Sequence, residues 1–354
     1  MDRCFDIIIV GAGPAGCAAA LQLTQRAPEL AARTLLVDGA VFPRHKPCGG
    51  GLVPQTDRLL THLGIPADVQ DVTVRSVFFH YAGGSKDKAS TRLFRVVRRD
   101  VFDASLLRQV KKRGVHVREG EWVSLLTRER ESICLETPRG RYHARVVIGA
   151  DGARRRVRRA LVGPARGEQF VALETLMADA AASDEAIFDF RLAAQGLRGY
   201  AWDFPCIVRG ERYVNRGIGG SRWPSGISLR DLFAASMLER GFRLERSHVE
   251  GWSAPLYHPD SPQGAPGVLL AGDAVGVDPW LGEGISVALG TGILAAHAAA
   301  DGLAEGCLDF SDHTERVRES AVGWQLERSL AIAEPFYEAA GRTGGLAGFF
   351  AASP

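Results

Sequence analysis

The stretch Phe5-Asp6-Ile7-Ile8-Ile9-Val10-Gly11-Ala12-Gly13-Pro14-Ala15-Gly16, "FDIIIVGAGPAG", decides the fold. Its first half is a continuous apolar run of the kind shown by a central parallel strand covered on both faces. Glycines follow at once, and "CAAALQLTQR" reads as a helix to about Arg26. A second apolar strand, "TLLV" at 34–37, ends at Asp38, which completes a βαβ unit. Glycines at a strand-to-helix turn let backbone approach a pyrophosphate, whose charge is met by the helix N-terminus. An acidic residue at the end of the next strand is placed for a ribose hydroxyl. The hexapeptide alone is a weak signal. Set between a strand, a helix and Asp38, it predicts a dinucleotide site without saying which dinucleotide.

Outward from this unit, "DVFDASLLRQVKKR" at 100–113 has helical spacing at Val101, Leu106, Leu107 and Val110, and Gly114 stops it. "RVVI" at 145–148 is a third buried strand running into Gly149-Ala150-Asp151-Gly152. Between roughly Gln169 and Gly251 the texture changes. "AIFDFRL" at 186–192 and "RYVNRGIG" at 212–219 alternate like strands of an antiparallel sheet with one open face, and a helix over 229–240 interrupts them. "GVLLA" at 267–271 restores the α/β texture and leads to Gly272-Asp273 and an apolar helix over 284–300. That helix is short for a membrane span and is read as buried core.

The 354 residues exceed one typical domain, and 46% hydrophobic content fits a globular chain. A net charge of +2 gives no reason to expect a nucleic-acid partner. Six scattered cysteines with no C-x-x-C pair, and no secretory leader, predict reduced thiols in a cytoplasmic protein. No metal is expected, and the chain is read as a monomer, with peripheral membrane contact left open.

Later motifs choose the dinucleotide. Gly272-Asp273 puts a carboxylate at a strand end, where it accepts hydrogen bonds from a polyol chain. Pro279, Gly282, Glu283 and Gly284 bring backbone to a helix start, whose dipole stabilises negative charge on a reduced isoalloxazine. In this order the motifs favour FAD. The predicted class is therefore α/β in two lobes (α+β). A Rossmann-like FAD-binding domain takes 1–72, 92–168 and 262–305, and an inserted antiparallel-sheet substrate domain takes 73–91 and 169–261. C-terminal helices fill 306–354, with Trp324, Pro335 and Phe336 expected to pack in the core.

On "GAGPAG", Arg99 in "RRDVFD", "GADG" at 149–152 and "AGDAVGVDPWLGEGI" at 271–285, the chain resembles a superfamily of FAD-dependent enzymes. That superfamily includes the para-hydroxybenzoate hydroxylase-like monooxygenases and the geranylgeranyl reductases. "KPCGGG" at 46–51 is similar to the geranylgeranyl reductase version of the loop beside the isoalloxazine, and "YAWDFP" at 200–205 to that branch's Y-x-W-x-F-P segment. The resemblance implies cofactor contacts at Gly11, Gly13, Pro14, Ala15, Gly16, Asp38, Gly39, Arg44, Cys48, Gly49, Gly50, Arg99, Asp151, Gly152, Gly272, Asp273, Gly282, Gly284 and Ile285. It implies a substrate wall at Tyr200, Trp202 and Phe204, alternate residues that project to one side of an extended stretch.

The implied activity is reduction of carbon–carbon double bonds in an isoprenoid or other apolar lipid-like substrate. Hydride would come from flavin reduced by NADPH, NADH or a protein carrier. Cys48 is the candidate for the accompanying proton, with His45 and Lys46 as its electropositive neighbours. The same fold serves oxygen-using hydroxylases and epoxidases, so a monooxygenase is the alternative. A halogenase fits less well, because "YAWDFP" departs from W-x-W-x-I-P, and a non-catalytic flavin-binding protein is the reading outside enzymes. In "ARRRVRR", Arg155 stands where the superfamily often has a small hydroxylated residue, which argues against NADPH docking by the hydroxylase route. Arg154, Arg155, Arg156, Arg158 and Arg159 are read as a solvated face.

Overall fold

The computed structural model describes residues 3–66, 69–244, 248–342 and 344–351. The last three positions of the expected C-terminal segment, 352–354, lie outside the described residues. The opening strand, Arg3–Val10, sits inside the first sheet, parallel to Thr34–Val37 on one side and Gly140–Gly149 on the other. Ile7, Ile8 and Ile9 are fully buried there. This explains the unbroken apolar run, since both faces are covered: Ile7 and Ile9 share a buried cluster with helix Pro14–Arg26, and Ile8 and Val10 a second one with Leu126, Ile133 and Leu135. His116–Arg118 and Val268–Leu270 extend the parallel order outward. A hairpin, Leu125–Arg128 with Ile133–Thr137, adds on antiparallel to Gly140–Gly149.

Helix Pro14–Arg26 follows the glycine turn and packs against Ile285–Glu305 through small side chains, Ala15 and Ala18 facing Gly292. Ile285–Glu305 is long and apolar enough to cross a membrane, yet 72% of its apolar window is buried within the protein. It is a core helix, as its composition predicts.

The second sheet runs in the order Glu250–Pro255, Gln169–Ala178, Glu211–Arg222, Arg198–Val208, Glu185–Asp189, Asp71–Tyr81, Gly84–Val97 and Gly51–Leu52. All its pairings are antiparallel except Glu185–Asp189 with Asp71–Tyr81. The hairpin Asp71–Val97 extends beyond the expected 73–91 at both ends.

The expected open face is absent from the middle of this sheet. Gly199 to Cys206 are all buried, because helix Leu229–Glu239 packs Leu232, Phe233 and Met237 against Ala201 and Ile218 on one side, while an aromatic cluster fills the other. The strand read over 186–192 ends at Asp189. Its carboxylate accepts the Arg191 backbone N–H at 3.0 Å and turns the chain into a 3₁₀ segment, Arg191–Gln195.

Helix Arg99–Lys112 leaves Val101 exposed rather than in the core. In the C-terminal helix Ala321–Ala340, which contains Pro335, Phe336 is fully buried as expected. Trp324, 76% exposed, and Pro335, also exposed, are not part of the core.

Candidate active site

A cavity of about 700 Å³ lies between the two sheets. Its floor is built where the parallel strands end, at Gly11, Asp38, Asp151 and Asp273, the position at which open α/β sheets bind ligands. Every residue expected at the cofactor lines this cavity except Gly16, which lies inside the glycine helix.

Gly11 has φ +107°, and a Cβ there would lie 2.3 Å from the Ala150 carbonyl oxygen, so only glycine lets these strand ends meet. Gly13 caps helix Pro14–Arg26 without any side-chain cap, which leaves the helix's first N–H groups for a ligand. Asp38 has a structural task of its own. Its Oδ2 accepts the Ala12 N–H at 2.7 Å and its Oδ1 the Ala40 N–H at 2.7 Å, which clamps the turn to the second strand.

Two arginines share one buried anchor. Arg99 donates Nε and Nη2 to Asp103 at 2.8 and 2.9 Å, and Arg44 Nη2 stands 3.0 Å from the same carboxylate. Arg44 Nη1 is buried with no partner among the described residues, and Nη2 lies 3.8 Å from where a Gly13 Cβ would be. An orphaned guanidinium nitrogen beside an uncapped helix start fits the pyrophosphate of FAD.

Asp151 Oδ2 accepts the N–H groups of Arg156 and Val157, and burial raises its pKa. Gly152, Gly272, Asp273, Gly282, Gly284 and Ile285 complete the floor. Helix Ile285–Glu305 begins against an internal carboxyl, whose pKa burial raises. Glu283 Oε1 and Oε2 accept from Ser286 N–H at 2.8 Å and Ser286 Oγ at 2.6 Å. The helix start without such a carboxyl is therefore the one at Gly13, not the one at Gly284.

The loop around Cys48 departs from expectation. His45 pairs with Glu250, while Lys46 stands 3.8 Å from Asp273 and 4.9 Å from the centre of the Trp252 ring. Burial lowers the Lys46 pKa. Arg99, brought in from a distant helix, stands beside the half-buried Cys48 thiol, and Lys46 interacts with it electrostatically as well; of the two sequence neighbours, His45 is the one turned away, to Glu250. Cys48 Sγ accepts the Gly50 N–H at 3.4 Å, and Cys48 N–H donates to Glu174 Oε1 at 2.8 Å. A Cβ on Gly49 would fall 2.9 Å from the Phe204 ring, so this glycine makes room for the roof above it.

Tyr200, Trp202 and Phe204 form that roof from one face of their strand, and all three are buried. Their polar tips are engaged. Tyr200 O–H donates to the Leu281 carbonyl at 2.6 Å and Trp202 Nε1–H to Asn215 Oδ1 at 2.7 Å. Burial holds the Tyr200 phenol well above its ordinary range. What faces the cavity is consequently apolar.

Sequence reading missed Phe94, Phe170, Phe188, Glu174 and Trp252, which also line the cavity. The period-2 order Phe170, Ala172, Glu174 was the available signal. The arginine run is not uniformly solvated either. Arg158 is 1% exposed, its Nε donates to the Ala274 carbonyl at 2.8 Å, and burial beside Arg155 lowers its pKa to about 10.

Residues 4–202 match the family model described as "FAD binding domain". A menaquinone reductase from Mycobacterium tuberculosis is 32% identical over 84% of this chain and 76% of its own. A digeranylgeranylglycerophospholipid reductase from Methanoculleus marisnigri is 29% identical over 95% and 87%. A geranylgeranyl diphosphate reductase from Rhodobacter capsulatus is 29% identical over 83% and 75%. Among solved structures, a geranylgeranyl bacteriochlorophyll reductase-like protein from Thermoplasma acidophilum superposes with TM-score 0.79 at 23% identity, covering 96% of this chain and 88% of its own, and so shares the fold. With an FAD cradle and relatives of this kind, the chain belongs to the FAD binding domain family, as a geranylgeranyl reductase-like FAD-dependent oxidoreductase.

Proposed function

We propose that the protein reduces carbon–carbon double bonds of an isoprenoid or similarly apolar lipid chain. The observation that carries this reading is the roof. Tyr200 and Trp202 turn their hydrogen-bonding atoms to Leu281 and Asn215 and present ring faces to the cavity. Phe94, Phe170, Phe188 and Phe204 add further apolar surface. These ring faces offer a hydrocarbon dispersion contacts and exclusion of water, and themselves offer a polar aromatic acid no directed partner. The names of the relatives, reductases of isoprenoid lipids and quinones, support the same class.

FAD held on the floor supplies the hydride. The chain's own part is placement. The Gly11 turn, the Gly13 helix start and Arg44 fix the pyrophosphate end, Asp38 the ribose and Asp273 the polyol, while Gly49 lets the Cys48 loop close against the roof. In this reading the cofactor is held mainly at the strand ends of the first sheet and the substrate by the second sheet, which includes Phe94 from the hairpin Asp71–Val97. NADPH, NADH or a protein carrier reduces the flavin, in a cytoplasmic setting.

The test is turnover under nitrogen with geranylgeranyl diphosphate and a chemical reductant. A product heavier by two hydrogens supports the proposal. A substrate unchanged under nitrogen but carrying one oxygen atom after exposure to air would show a monooxygenase instead.

A further inference from the structure

Hydride transfer to one carbon of a double bond leaves the other in need of a proton. The second sheet supplies very few groups able to give one. Of the cavity-lining side chains on its strands, only Glu174 and Tyr200 titrate in the relevant sense, and the Tyr200 O–H is committed to the Leu281 carbonyl. On the floor side, Glu283 commits both oxygens to Ser286. Cys48 Sγ is an acceptor from Gly50 N–H beside the Arg99 guanidinium, an arrangement of donors around an acceptor.

Glu174 also accepts hydrogen bonds; what sets it apart is that, among the described residues, it is the one carboxyl on the second sheet's strands that lines the cavity. It follows Phe170 and Ala172 on the cavity face of Gln169–Ala178 and is 6% exposed. The Cys48 N–H at 2.8 Å and the Asn215 side chain hold its carboxyl in place, and Asn215 is in turn fixed by Trp202.

We propose that Glu174 is the catalytic acid of the reduction, giving its proton to the double-bond carbon that does not receive hydride. This rests on the reading of the previous section. The Glu174 O–H bond breaks and a C–H bond forms at one carbon, while hydride from reduced flavin forms the C–H bond at the other. The alkene gains two electrons, the flavin loses two, and the glutamate, left as carboxylate, takes a proton back from water. Burial raises the Glu174 pKa and Glu250 on the neighbouring strand raises it further, while the Cys48 N–H, the Asn215 side chain and Arg98 work against that. Glu250 is itself paired with His45. Because the acid form is the working form, activity falls as pH rises through this raised value.

The test compares wild type, Glu174→Gln and Glu174→Asp, each loaded with FAD, on geranylgeranyl diphosphate under nitrogen with dithionite as reductant. Glu174→Gln is expected to bind as much FAD, to lose reduction by roughly a hundredfold or more, and to lose the high-pH limb of the rate profile. Glu174→Asp, which keeps an acid, is expected to recover part of the rate. The infrared band of a protonated carboxyl in the wild-type holoenzyme should be missing from Glu174→Gln. Reduction by Glu174→Gln at the wild-type rate would overturn the assignment. So would loss of FAD from both variants, which would mark Glu174 as a support for the Cys48 loop. A wild type that reduces no isoprenyl substrate at all would overturn the previous section's reading and this one with it.

Discussion

The floor and the roof of the cavity are built by opposite means. The floor is mostly backbone and small residues, and its polar side chains act by clamping that backbone, as Asp38 does at Ala12 and Ala40. The roof is large aromatic side chains from several strands, whose polar atoms are turned away. A backbone cradle tolerates no added atom, because a Cβ at Gly11 has nowhere to go. A roof of side chains tolerates trimming, because its members pack against one another: Phe188 lies 5.4 Å from Tyr200 and 5.1 Å from Phe204 between ring centroids. Substitutions should therefore be all-or-none at the floor's tight glycines and graded where side chains make the contacts.

The largest effect is expected from Gly11→Ala. Its Cβ meets the Ala150 carbonyl oxygen at 2.3 Å with the backbone at φ +107°, so the strand ends must part. The variant should purify without FAD or fail to fold, read by the flavin spectrum and by thermal melting. A yellow, stable Gly11→Ala would break the contrast.

Next comes Arg44→Met, which removes the unpartnered Nη1 beside the Gly13 turn. The cost is about 1.5–3 kcal/mol of charge-assisted hydrogen bonding, or roughly ten- to a hundredfold in FAD affinity measured by titration of the apoprotein.

On the roof, Trp202→Phe keeps a ring but leaves Asn215 Oδ1 without its donor. Stability should fall by about 1–3 kcal/mol in denaturant unfolding, with FAD still bound. The smallest effect belongs to Tyr200→Phe, which loses only the bond to the Leu281 carbonyl, about 1 kcal/mol. It should leave an isoprenyl KM within a few fold, since the wall remains apolar.

The same contrast decides what was legible in the sequence. The floor is written in contiguous motifs, because a strand, a turn and a helix start are local structures. "FDIIIVGAGPAG", Asp38 and the segment at 271–285 therefore identify themselves. Tyr200, Trp202 and Phe204 were legible for the same reason, as alternate residues of one strand.

Pairings between distant segments were not legible. His45 and Lys46 are neighbours of Cys48 in the chain; the structure keeps Lys46 near the thiol but turns His45 to Glu250, and adds Arg99 from a distant helix. Glu174 looks in the sequence like a polar residue on a half-open strand. Only the fold shows that the strand's cavity face is closed. Arg158 was lost in a run of like residues, where one buried member has no local mark.

The central claim is that flavin reduced on this floor passes its hydride directly to an alkene under this roof. Its most direct test is to reduce the FAD-loaded protein under nitrogen, remove excess reductant, and add geranylgeranyl diphosphate while following the oxidised flavin band. The band is predicted to return in step with formation of dihydro product, without oxygen. Flavin that stays reduced until air is admitted would contradict the account.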